Sequence, residues 1–168
     1  IAYLKRKFAF DRDSIVADVG CGPGISSRMF LENGNSVIGV EPNAAMRAAA
    51  VQELTEYPFF RIVNGTSMQT SLPDGSVDVI VAAQAFHWFD AERTRAEFLR
   101  ILKPDGYVAL IWNVRQLDTT PFLVEYESFL QEYSRDYAAV RHENITDKEI
   151  ADFFRGSFET AAFPNLQE

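Results

Sequence analysis

The sequence reads VADVGCGPG from Val16 to Gly24: an apolar run ends in Asp18, and glycines follow at positions 20, 22 and 24. Glycine admits positive φ and lets a backbone approach a ligand closely, so this spacing describes a turn that presents main-chain N–H groups. A phosphate-cradling P-loop needs Gly, four residues and then Gly-Lys-Ser/Thr, and no such lysine follows. A dinucleotide turn needs Gly or Ala where Ile25 stands, which disfavours an NAD-dependent oxidoreductase. The Asp18 carboxylate at a strand end would attract an ammonium group and repel a pyrophosphate. Amides and a carboxylate in one turn suit an amino-acid zwitterion.

Glu41 closes the next β-branched run, 21 residues beyond Gly20. An acidic side chain at that place can accept hydrogen bonds from both hydroxyls of a ribose. An aminoacyl end joined to a ribose describes S-adenosylmethionine. Cys21 sits inside the turn as a small residue rather than a nucleophile. A third group of interest is QAFHWF, Gln84–Phe89. Phe86, Trp88 and Phe89 read equally as core, and His87 as a ring bonded to backbone. In the functional reading His87 or Trp88 faces an acceptor, which an imidazole could orient or deprotonate near neutral pH.

These residues need elements to hold them. Short β-branched runs alternate with amphipathic stretches, the pattern of strand–helix units around a parallel sheet. Strands are predicted at Ser14–Gly20, Ser36–Glu41, Phe59–Val63, Val77–Ala83 and from Tyr107 to Asn113. Helices are predicted at Gly24–Gly34, at Asn43–Glu56 with Asn43 as N-cap, and after Asp90 as a second cap. LPDGS at Leu72–Ser76 and KPDG at Lys103–Gly106 are turns by composition. Beyond Asn113, Phe122, Tyr126, Phe129, Leu130, Tyr133 and Tyr137 mark one helical face, read as mainly packing. A short helix capped by Thr146 follows, and SFETAAF at Ser157–Phe163 reads as a sixth strand. Residues 114–155 are too few to bury a core of their own, so they are expected as a helical insertion within a single domain spanning 1–168.

The 168 residues are 47% apolar and include one cysteine, two histidines and a net charge of −8. One cysteine excludes internal disulfides and suggests a reducing, cytoplasmic setting, and the scarcity of cysteine and histidine argues against a bound metal. The negative charge opposes broad nucleic-acid or anionic-membrane binding, and LKRK at Leu4–Lys7 reads as a solvated helix face. No apolar run approaches a membrane span. The first residue is Ile1, and the domain is expected to be truncated at both ends.

With these motifs in order, the sequence resembles the class I S-adenosylmethionine-dependent methyltransferases of the type 11 group. The resemblance runs from about Val16 to Asn113 and is carried by VADVGCGPG, VIGVEPNAAM, SLPDGSVDVIVAAQAFHWF and EFLRILKPDGYVALIWN. It implies a Rossmann-like, doubly wound, mostly parallel sheet flanked by helices. It also implies that Asp18 and the Gly20–Cys21–Gly22 backbone hold the methionine moiety and Glu41 the ribose. Pro42 and Met46 would pack on adenine, and Gln84 would lie beside the transferable methyl. Where the family often has an acid for the adenine amino group this chain has Thr66, a weaker acceptor without charge. The Ser67 N–H would meet the adenine ring. The resemblance further implies that the helical insertion at 114–155 is lid-like. The expected partner is a small-molecule acceptor, with a carboxylate as the leading class because a Trp after His or Gln past strand four resembles enzymes that esterify acids. The alternative is a non-catalytic S-adenosylmethionine-binding sensor or partner-binding module.

Overall fold

A computed structural model describes residues 1–114, 117–134, 145–156 and 158–163 of the chain. The valine- and isoleucine-rich runs form five strands: β1 (Ile15–Val19), β2 (Ser36–Val40), β3 (Phe60–Val63), β4 (Val77–Ala83) and β5 (Leu102–Ile111). All neighbours pair parallel in the order β3-β2-β1-β4-β5. The chain runs outward from β1 through β2 and β3, then returns to the other side of β1 with β4. The carboxyl ends of β1 and β4 therefore flank the switch point, where open α/β sheets leave a crevice for ligands.

Alternate side chains of each strand feed opposite faces, as strand geometry requires. On one face Val16, Val37, Val79 and Val81 pack with Phe10, Phe30, Leu31 and Leu54. These bring in α2 (Ile25–Glu32) and the end of α3 (Ala44–Glu53). On the other face Ala17, Val19, Ile38, Val40 and Ile80 pack with Phe98, Ile101 and Phe153, from α4 (Ala91–Ile101) and α6 (Asp147–Phe154). Burial on both faces explains why the strands read as continuous apolar runs rather than alternating ones. The predicted caps are present: Asn43 accepts from the Ala45 and Met46 N–H groups, Asp90 from Arg93, and Thr146 forms a capping box with Glu149. The basic run lies in α1 (Ala2–Lys7), with Lys5, Arg6 and Lys7 solvated. Among the described residues no helix is long and apolar enough to cross a membrane.

Three expectations are corrected. KPDG does not precede β5 but bulges from it: Leu102 pairs with Val77 and Tyr107 with Val79, leaving Lys103–Gly106 looped out. The loop is held because Lys103 Nζ donates to both Asp78 oxygens at 2.9 and 2.8 Å, while Asp78 also accepts the Ile15 N–H at 2.8 Å. SFETAAF forms no strand over its described residues 158–163. Its polar and aromatic groups face α1 instead: Tyr3 Oη donates to Glu159 at 3.0 Å and the Tyr3 and Phe163 rings lie 5.5 Å apart. Finally, α5 (Pro121–Tyr133) leaves its aromatic stripe outside the core, with Phe122, Phe129 and Tyr133 more than half exposed. The rings pair along the helix, Phe122 with Tyr126 and Phe129 with Tyr133. Periodicity defines a face without supplying a partner for it. Tyr137 lies outside the described residues.

Candidate functional site at the carboxyl edge of the sheet

The glycine turn continues β1. Gly20, Gly22 and Gly24 all have positive φ, at +74°, +53° and +89°. Their surroundings differ. A Cβ on Gly20 would stand 2.8 Å from that of Ala85, so the turn touches the chain leaving β4. A Cβ on Gly22 would meet nothing within 4 Å, leaving open space beside its backbone. Between them, Cys21 turns its thiol inward toward Gly39 of β2, where any Cβ would fall 2.7 Å from Sγ. Burial, with Asp18 and Glu41 nearby, raises the thiol's pKa, so Cys21 is a packing residue and its thiol is inert.

Asp18 is fully buried at the end of β1. The Ser26 and Ser27 hydroxyls, from the first turn of α2, both donate to its Oδ2 at 2.6 Å. Its Oδ1 is buried and accepts no hydrogen bond among the described residues. Burial pushes the carboxyl's pKa up, and the two serine bonds work against that shift. Glu41 stands just past β2 with 8% exposure. One oxygen accepts the Gly22 N–H at 3.1 Å and the other the Asn43 N–H at 2.8 Å. Glu41 thus ties the glycine turn to the start of α3.

Pro42 and Met46 are exposed beside Glu41 at that helix start. Beneath them, Arg47 Nη1 donates to Glu41 O, Pro42 O and Asn64 Oδ1, at 2.9, 2.7 and 3.1 Å. This clamp joins the end of β2 to the loop after β3, and no local sequence signal marks it because its partners lie up to 17 residues apart. Thr66 and Gln69 close a tight turn by reciprocal backbone bonds, 3.0 and 3.2 Å. Ser67 is buried, and its hydroxyl accepts from Thr94 of α4 at 2.8 Å. The loop is anchored further on, where Thr70 N–H and Oγ1 donate to Glu97 Oε1 at 2.8 and 2.6 Å.

On the other side of the switch point, Gln84 leaves β4 with φ +52°, a strained value for a side-chain-bearing residue. Its N–H donates to Ile111 O at 2.9 Å and its side-chain amide to Asn113 O at 3.2 Å. Phe86–Trp88 then form a single 3₁₀ turn. Phe86 is core, His87 is half-buried with its ring 5.1 Å from that of Trp88, and Trp88 is 68% exposed. The core reading therefore holds for Phe86 but not for Trp88. Asp18, Gly20, Cys21, Gly22 and Glu41 are gathered with Gln84 around one point, joined through the Gly20–Ala85 contact. Thr66 and Ser67 belong to a separate loop toward α4. Concavities of about 500 Å³ between α4 and α6 and about 320 Å³ around Asp78, Lys103 and Tyr107 are lined by neither group.

A methyltransferase domain family matches residues 17–110, from the middle of β1 to the end of β5. The chain belongs to this family, in the S-adenosylmethionine-dependent class that its motifs resembled. An uncharacterised methyltransferase-like protein of Schizosaccharomyces pombe is 31% identical over 135 residues, 80% of this chain and 51% of that protein. A probable S-adenosylmethionine-dependent methyltransferase of Saccharomyces cerevisiae is 30% identical over 149 residues, 83% of this chain and 48% of that protein. The chain thus spans about half the length of these relatives. A crystal structure from Methanococcus maripaludis, assigned as an S-adenosyl-L-methionine-dependent methyltransferase, superposes with TM-score 0.70 at 19% identity, covering 92% of this chain and 71% of that one. That likeness is one of fold.

Proposed function

We propose that this domain binds S-adenosylmethionine at the carboxyl edge of β1 and β2 and catalyses methyl transfer to a small-molecule acceptor beside the 84–89 turn. The observation that carries the reading is a coincidence at one point. The open space at Gly22, the Glu41 carboxylate on the Gly22 N–H, and an unpartnered buried oxygen of Asp18 all occur together. The residues fit the donor. Each Glu41 oxygen holds one backbone N–H and keeps a lone pair for a ribose hydroxyl. An ammonium at Asp18 would offset the cost of burying that carboxylate. Gly20 and Gly22 let the backbone approach the methionine moiety, Pro42 and Met46 offer an apolar surface to adenine, and Thr66 and Ser67 offer polar groups to its edge.

The donor supplies an electrophilic methyl on a sulfonium, so the chain's task is alignment within about 3–3.5 Å and exclusion of water. Gln84 borders the reacting centre, and His87 and Trp88 orient the acceptor. A carboxylate is the acceptor class we favour: it is already an anion, so no general base is required. Residues 114–155, which include α5 and α6, act as a lid over the acceptor, and the buried thiol of Cys21 suits a reducing, cytoplasmic setting.

Calorimetric titration with S-adenosylhomocysteine tests the donor site, and Glu41→Ala should weaken it at least about tenfold. Release of S-adenosylhomocysteine from the donor in the presence of carboxylates, phenols or amines tests turnover. Binding with no product from any of these would leave a sensor and reject methyl transfer.

A further inference from the structure

Trp112 directly follows β5, and its ring packs edge-on to Phe86 of the 84–89 turn, with centroids 6.2 Å apart. The backbone on either side of it is tied to Gln84, through Ile111 O and Asn113 O. The indole is therefore fixed across from the one strained residue of the acceptor turn. Its Nε1 is buried and makes no hydrogen bond among the described residues. An indole N–H is a donor and nothing else, and a buried one normally finds an oxygen. Leaving it unpaired carries a desolvation penalty that structural packing alone does not explain. Trp88, the indole singled out by the sequence, is 68% exposed and can donate to water.

We propose that Trp112 Nε1–H is a specificity-determining donor for the methyl acceptor, selecting a carboxylate oxygen over an ammonium. The inference rests on the methyl-transfer reading and assigns the acceptor class at that same site. A carboxylate oxygen satisfies the buried donor and gains a hydrogen bond strengthened by charge. A protonated amine offers only donors and leaves the indole unpaired. The oxygen reaches Nε1 when the apolar cover parts. Ile145, Phe153 and Phe154, from α6 and the residue before its cap, pack on the same cluster as Trp112. The cover thus comes from the segment that follows β5.

The chain holds two tryptophans, so a nitrogen-15 spectrum of the protein has two indole N–H resonances, assignable with Trp88→Phe and Trp112→Phe. The protein saturated with S-adenosylhomocysteine is titrated with dodecanoate and succinate, and with dodecylamine as the cationic counterpart. A downfield shift of the Trp112 resonance with at least one carboxylate, and none with dodecylamine, is expected. Trp112→Phe keeps most of the ring and removes the N–H, so it should weaken that carboxylate at least about fivefold, equivalent to about 1 kcal/mol. Its S-adenosylhomocysteine affinity should stay within about twofold. A Trp112 resonance unmoved by both carboxylates, or undiminished carboxylate affinity in Trp112→Phe, overturns the assignment. Failure of S-adenosylhomocysteine to bind the unaltered protein instead removes the reading beneath it.

Discussion

The two sides of the switch point are built from different material. On the β1–β2 side, the site is main chain and carboxylate: three positive-φ glycines, Glu41 holding two backbone N–H groups, and Asp18 holding two serine hydroxyls. On the β4–β5 side it is aromatic: Phe86, His87, Trp88, Phe89 and Trp112, with a single strained backbone at Gln84. Backbone groups recognise what is constant in a ligand, because they cannot be exchanged by mutation. Aromatic side chains shape a pocket that changes with each substitution. The contrast suits one invariant donor and an acceptor that varies between members of a family.

The sharpest way to break the comparison is Gly22→Val. Its Cβ meets no protein atom, so the cost to folding is the positive-φ strain, about 1–3 kcal/mol. Calorimetry should detect no S-adenosylhomocysteine binding in a variant whose circular dichroism shows it folded. Normal binding would make the glycine turn purely structural. Next in size, Glu41→Ala removes a charged acceptor and should cost about 1.5–3 kcal/mol of donor affinity. Equal affinity in this mutant would move the ribose elsewhere.

A third test concerns the polar join between the sides. Arg100 donates to Glu97 at 2.8 and 2.7 Å, and Thr70 donates from the other direction, so Glu97 is held at a pKa of about 2, below its ordinary 4.5. A depressed carboxylate stabilises the fold above its unfolded pKa and loses that contribution as pH falls from about 4.5 toward 2. Glu97→Gln should therefore lower Tm at pH 7 by a few degrees, reflecting about 1–2 kcal/mol, with the gap narrowing as pH falls below about 4.5 and closing only below about 2. A gap independent of pH would assign the effect to packing. The smallest effect is expected at the exposed edge. Trp88→Phe should reduce turnover only a few-fold, since about 1 kcal/mol rests on a water-accessible N–H. His87→Ala should leave the rate of a carboxylate acceptor nearly flat above pH 6. A large, pH-dependent loss at His87 would replace the carboxylate with an acceptor that must be deprotonated.

The glycine-turn side was legible because its information is local. Glycine spacing, a carboxylate at a strand end and the caps Asn43 and Asp90 are each set within a few residues, where φ preference and side-chain reach act directly. The parallel sheet followed from short apolar runs alternating with amphipathic stretches, since strands buried on both faces read as continuous apolar segments. What lay outside the sequence was every fact that depends on distant neighbours. Arg47 clamping Asn64, Cys21 requiring a glycine at position 39, and Lys103–Gly106 looping out over Asp78 each join residues separated by 17 or more positions. The sequence alone also assigned packing to the stripe on α5, where burial depends on whether another surface covers it. By itself, then, the sequence determined the positive-φ glycine turn and the class of fold, because local conformational preference and burial periodicity are written residue by residue. Only the tertiary structure decided that Trp88 stands in solvent while Trp112 holds an unpaired donor at the same turn. Which polar atom is left without a partner is a property of the whole packing arrangement, and no short window of residues contains it.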